Sequence, residues 1–156
     1  MQRVQIGAWM ITVLLVDDHM SVLKSLRYML EATEDIQVVA TASNGVEAIF
    51  QARQHCPDVA VVDISMPVMD GIEATRQIRE HCRNTRVMML SILDNPEYVQ
   101  RAIEVGATGF VLKDAIAKDL LAAIHALAKG KRYFSQKVAE IAEKSSKSQN
   151  NDSWAA

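Results

Sequence analysis

Two cysteines, Cys56 and Cys82, are too few to staple a small secreted domain, which excludes a disulfide scaffold and fits a reducing compartment. Charge of one sign is equally scarce. Nineteen acids stand against 17 bases for a net charge of −2, so no global field draws the chain to nucleic acid or an anionic membrane. A long apolar run is missing too. The nearest candidate, Val4 to Val16 behind Arg3, is 13 residues long, is broken by Gln5, Gly7 and Thr12, and runs into Asp17-Asp18. It is too short to span a bilayer, and no small-residue cleavage site follows it. Length excludes a second folded domain: 156 residues at 49% hydrophobic content supply one sizeable core.

What is present is a repeating strand and helix rhythm. Ile11 to Val16 reads as a first strand, with residues 1–10 taken as an N-terminal extension and Met10 as a candidate start. Val22, Leu23, Leu26, Met29 and Leu30 recur at helical spacing over Met20 to Ala32, and a second strand is expected at Ile36 to Thr41. Ser43-Asn44-Gly45 can cap a helix to about Gln54 with Val46, Ile49 and Phe50 facing inward, and Pro57 closes that unit. A third strand ends at Asp63, a helix runs from Ile72 to about Cys82, and Arg86 to Leu90 is a fourth strand. Pro96 suits the first turn of a helix that Gly106 ends. Thr108 to Leu112 is a fifth strand, and Leu120, Leu121, Ile124 and Leu127 mark the inner face of a last long helix ending at Gly130. Such alternation predicts one doubly wound α/β domain with a parallel sheet and right-handed crossovers.

The strand ends carry the chemistry. The first runs into Asp17-Asp18, the third delivers Asp63 into a tight loop punctuated by Pro67 and Asp70-Gly71, and the fourth and fifth end near Ser91 and Lys113. In an open parallel sheet these ends share one edge, where ligands bind. Singly, an Asp-Asp pair is usually a solvated turn and a loop lysine usually surface. Jointly, the five positions and the stretch Asp63-Ile64-Ser65-Met66-Pro67-Val68-Met69-Asp70-Gly71 resemble the bacterial response-regulator receiver domain over residues 11–130.

That resemblance implies a flavodoxin-like (βα)5 sheet of order 2-1-3-4-5. It implies that Asp63 is the phosphoacceptor, taking a phosphoryl group from a partner sensor histidine kinase. Mg2+ would be held by Asp18, Asp63 and the backbone carbonyl of Ser65, with Asp17 acting mainly through water. Ser91 and Lys113 would bind the phosphoryl oxygens, and Ser91 with Phe110 would form the switch, although simple core packing of Phe110 is an equal reading. The chain is then a phosphoacceptor in the cytoplasm and not a separate enzyme.

Lys113 precedes Asp114, which, with Gly130-Lys131-Arg132-Tyr133-Phe134-Ser135, resembles the NarL-type, LuxR-tailed branch. Its members carry a helix-turn-helix DNA-binding domain after a linker, so DNA contact is expected only through a C-terminal domain that this chain lacks. Residues 131–156 are read as a basic linker or tail with a short helix from Ser135 to Lys144, disordered from Ser145. A stand-alone receiver or dimerisation module, including a homodimer, stays open. An aspartate-dependent phosphatase would need a second acid two residues after Asp63, where Ser65 stands. Each cysteine follows a histidine, His55 or His81, but adjacent side chains seldom chelate one tetrahedral ion together, so these are read as ordinary helix-end residues.

Overall fold

The computed structural model describes residues 10–152, with side chains described as far as Lys147; the expected N-terminal extension lies, apart from Met10, outside the described residues. In chain order the elements are β1 (Ile11–Val16), α1 (Met20–Glu31), β2 (Ile36–Ala42), α2 (Gly45–His55), β3 (Val59–Asp63), α3 (Gly71–His81), β4 (Arg86–Ser91), α4 (Pro96–Glu104), β5 (Gly109–Leu112), a 3-10 turn (Lys113–Ala115), α5 (Ile116–Ala128), β6 (Tyr133–Phe134) and α6 (Gln136–Asp152). All strand pairs are parallel and the order is β2-β1-β3-β4-β5-β6. The expected five-strand order is therefore present, extended by a sixth strand that sequence reading did not anticipate. No described helix is long and apolar enough to cross a membrane.

Strand side chains alternate between two cores. Leu14, Val16, Ala60, Val62, Met89 and Phe110 pack under α2, α3 and α4, whereas Val13, Leu15, Val61, Met88, Leu90 and Val111 pack under α1 and α5. Helices on both faces explain why β3 is buried along its whole length and reads as a continuous apolar run. Helix starts are fixed by side chains that accept the first free amides. Asn44 accepts the Glu47 N–H and Asp70 the Glu73 N–H, both at 2.9 Å, and Asn95 accepts the Glu97 N–H at 2.9 Å with Pro96 at the first helical position.

Two expectations need correction. Val46 and Phe50 face solvent, 52% and 58% exposed, because α2 turns its small residues Ala48 and Ala52 inward and so lies close against α3. The C-terminal helix also runs on to Asp152 instead of ending near Lys144, and β6 precedes it. Val138, on the first turn of that helix, is fully buried in the core that holds Val99 and Phe110, so the start of the helix packs against the sheet domain.

Candidate functional site

Asp17 follows β1 with its amide bonded to the Ala42 carbonyl at 3.1 Å, which holds it at the sheet edge. It is fully buried, and both its oxygens are committed. Oδ2 accepts from Lys113 Nζ at 3.0 Å, and Oδ1 accepts from the His19 amide at 2.8 Å while His19 Nδ1 lies 3.1 Å away. Asp18 is the opposite case: its Oδ1 is buried without a hydrogen-bond partner, although His19 Nδ1 comes within 3.1 Å.

Asp63 is the last residue of β3 and only 3% exposed. The loop after it folds back tightly, the Gly71 amide bonding the Ile64 carbonyl and the Met69 amide the Pro67 carbonyl, each at 2.8 Å. Any side chain at Gly71 would collide with the Asp63 carbonyl oxygen, so glycine is required for this close approach. These bonds leave the Ser65 carbonyl out of the loop's backbone hydrogen bonds among the described residues, while the Ser65 amide bonds the Asp63 carboxylate. Val68, at the exposed tip, holds φ 71°, an unusual conformation for a β-branched residue.

Burial is the main reason the Asp63 carboxyl is pushed up to about 6, and the Asp17 charge adds to the rise; Lys113 and the Ser65 amide pull it down. Lys113 Nζ lies 3.4 Å from Asp63 Oδ1 and 3.0 Å from Asp17 Oδ2, bridging the two acids. Burial alone would lower the lysine, but its hydrogen bond and charge contacts with Asp17 and Asp63 outweigh that and raise it. The ammonium is thus firmly charged and the buried acid pair tolerable.

Ser91 ends β4 beside this group, but its hydroxyl is satisfied by the following loop, donating to the Leu93 carbonyl at 2.9 Å and accepting from the Leu93 amide at 3.0 Å. Phe110 is wholly buried in the core under α3 and α4. The structure therefore gathers Asp17, Asp18, Asp63 and Lys113 into direct contact or close range, with Ser91 on the neighbouring strand end and Phe110 within the core.

Sequence reading overlooked His19, whose position beside the Asp17-Asp18 pair was the available signal. Asp17, Asp18, His19 and Asp63 each present a ligand atom within 4.8 Å of one another, the one such grouping found among the described residues. Three of the four offer carboxylate oxygen, the donor that hard divalent cations such as Mg2+ prefer, and the unpartnered Asp18 Oδ1 is an atom that a cation would satisfy. The residues fit a divalent metal. At His55, Cys56, His81 and Cys82 no such grouping forms among the described residues.

The model of the response regulator receiver domain family matches residues 13–125. The chain belongs to that family. This receiver is 34% identical over 130 residues to the nitrate/nitrite response regulator protein NarL of Escherichia coli, covering 83% of the chain and 60% of NarL. Among solved structures it resembles a LuxR-family two-component response regulator from Aurantimonas sp. SI85-9A1, with TM-score 0.82 and 34% identity over 86% of this chain and 97% of that one. It also resembles the isolated receiver domain of RcsB from Salmonella enterica serovar Typhimurium, determined with the phosphomimetic BeF3−, with TM-score 0.77 and 29% identity over 85% and 98% of the two chains. The receiver spans about three fifths of the length of the curated relatives it matches, and its branch is the NarL and LuxR one.

Proposed function

We propose that the receiver accepts a phosphoryl group on Asp63 from a phosphohistidine of a partner sensor kinase in the cytoplasm. The observation that carries this reading is Asp63 itself, a buried carboxylate with Lys113 Nζ 3.4 Å from one oxygen and a partnerless Asp18 oxygen in the same acidic group. An Asp63 oxygen attacks phosphorus, the P–N bond breaks and the imidazole leaves with the electron pair, giving an acyl phosphate. Asp18, Asp63 and the Ser65 carbonyl would hold Mg2+, which when bound supplies positive charge to the transferring phosphoryl oxygens. Lys113 neutralises the same oxygens from the other side, and Asp17 keeps Lys113 placed. No general base is needed, because Lys113 and a bound cation favour the ionised carboxylate. The residue is modified and later hydrolysed, so the chain is a phosphoacceptor and not a separate enzyme.

Phosphorylation adds roughly 1.5 to 2 negative charges. Ser91 can bond the new oxygens only by leaving Leu93, which frees the loop before α4. Space vacated on the Ser91 side lets Phe110 repack and alters the α4 and β5 surface, to which β6 and α6 are attached. In a longer regulator this change passes to a DNA-binding domain after α6, or to a second receiver in a homodimer.

The test is intact-protein mass after incubation with a small phosphodonor and Mg2+, comparing the native chain with Asp63→Ala. A single Mg2+-dependent phosphoryl adduct that the variant lacks is expected. No adduct in either protein would sink the phosphoacceptor reading and leave a docking module.

A further inference from the structure

The two cysteines lie far from Asp63, at the opposite edge of the sheet, one at the end of α2 and one at the end of α3. They converge on a single atom. The Cys56 amide donates to the Ala52 carbonyl at 2.8 Å, and Cys82 Sγ donates to the same carbonyl at 3.4 Å. Cys56 is exposed, with its Sγ 3.9 Å from the Arg53 carbonyl, and Cys82 is 6% exposed with Cys56 as its side-chain neighbour, so one thiol is open to solvent and the other is buried beside it.

A second observation concerns the backbone. Cys56 ends α2 at φ 43° and ψ 58°, the left-handed position that glycine or asparagine usually fills. Cys56 takes up this conformation at a cost that glycine would not incur. The histidines that precede the two cysteines are exposed and supply no third ligand, so the pair is a dithiol and not a metal centre.

We propose that Cys56 and Cys82 form a thiol–disulfide pair, oxidised by a low-molecular-weight disulfide such as oxidised glutathione and tying the end of α2 to the end of α3. The Cys56 thiolate attacks one sulfur of the oxidant, forming a mixed disulfide and expelling one glutathione thiolate, which takes up a proton. The Cys82 thiolate then attacks Cys56 Sγ and expels the second glutathione. Two protein thiols and one glutathione disulfide become one protein disulfide and two glutathione thiols. Burial, followed by the charge and hydrogen bond of the neighbouring Cys56, holds the Cys82 thiol above its ordinary range, so the second step quickens as pH rises. The closed loop contains β3, the Asp63 loop and α3, and closing it restricts the unfolded chain, so the oxidised protein melts at a higher temperature.

The experiment is intact mass and peptide mapping of the full chain after incubation with oxidised glutathione. The native protein is expected to lose two hydrogens, retain no glutathione and yield a linked peptide containing Cys56 and Cys82. Cys82→Ser should keep one glutathione on Cys56, and Cys56→Ser should stay unmodified. A native chain that keeps the glutathione, links to a second copy or stays fully reduced overturns the proposal. The mapping of the native protein decides this even if a variant folds poorly.

Discussion

Asp63 is held in the fold against its own preference for water, and the effect has a definite sign. Its carboxyl is pushed up to about 6 from an ordinary 3.8, so the folded state binds the proton more tightly than the unfolded state. Without a divalent cation, stability should therefore fall as pH rises from about 4 to 6 and stay at the lower level above that. Asp63→Asn removes the charge and keeps the shape. We expect it to stabilise the metal-free protein at pH 7.5 by up to about 3 kcal/mol, the free-energy equivalent of the shift, with the difference vanishing near pH 4. Urea unfolding at the two pH values in the presence of a chelator checks this; equal offsets at both would show that the buried charge is not the source. Added Mg2+ should raise the melting temperature of the native protein and leave Asp63→Asn nearly unmoved, because only the native site has the third carboxylate.

Between elements, a second titrating pair fastens α5 to the turn before β2. His125 Nε2 lies 2.7 Å from Asp35 Oδ2 and Nδ1 lies 2.7 Å from the Leu121 carbonyl, so both ring nitrogens face acceptors and the imidazolium is the form that fits. The hydrogen bond to Asp35 raises the histidine above its ordinary value against the effects of burial and Lys129, and the same bond lowers Asp35. The histidine's contribution is full below about pH 6.5 and fades as pH rises through its raised folded value. The aspartate's contribution fades as pH falls below about 4. His125→Gln should thus cost stability near pH 6, by about 1 kcal/mol or less because both partners are partly exposed, and converge with the native protein above pH 8. A constant difference across that range would exclude the ion pair as its cause. None of this was legible in the sequence, since residues 35 and 125 meet only after the sheet has formed. The α2 face was misread for a related reason: Val46 and Phe50 have the right spacing for a core, but Ala48 and Ala52 allow the closer approach to α3 and take the inner face. The helix start at Asn44 and the gathering of Asp17, Asp18, Asp63 and Lys113 followed from local pattern and from the shared edge of a parallel sheet, whereas the strand order came with the family resemblance and not from pattern.

Across the whole molecule, β6 and α6 change which surface is an edge. Two residues carry no readable strand period, so Tyr133–Phe134 was invisible to pattern, yet it pairs with β5 along Gly109↔Tyr133 and Phe110↔Phe134 and covers what would be the open side of the sheet. The join is specific. The Ser135 amide donates to the Phe110 carbonyl at 2.9 Å, and the Ser135 hydroxyl accepts the Leu112 amide at 3.1 Å. Three residues on, Val138 enters the same core as Phe110 and Val99. Ser135→Ala leaves a buried amide without its partner and should cost about 1–3 kcal/mol. Val138→Ala should cost about 2 kcal/mol through lost burial and an unfilled gap. Because both changes loosen one attachment, the double variant should lose less than the sum of the two, by more than about 0.5 kcal/mol. Strict additivity in urea unfolding would mean that the serine and valine hold α6 independently. The same attachment gives a readout of the switch. If phosphorylation of Asp63 repacks Phe110, the amides of Leu112 and Ser135 should exchange with deuterium faster in the phosphorylated protein than in Asp63→Ala treated alike, while those of β1 stay protected. Unchanged exchange at Leu112 and Ser135 would disconnect Phe110 and α6 from the acyl phosphate and assign the output to the loop that Ser91 holds through Leu93.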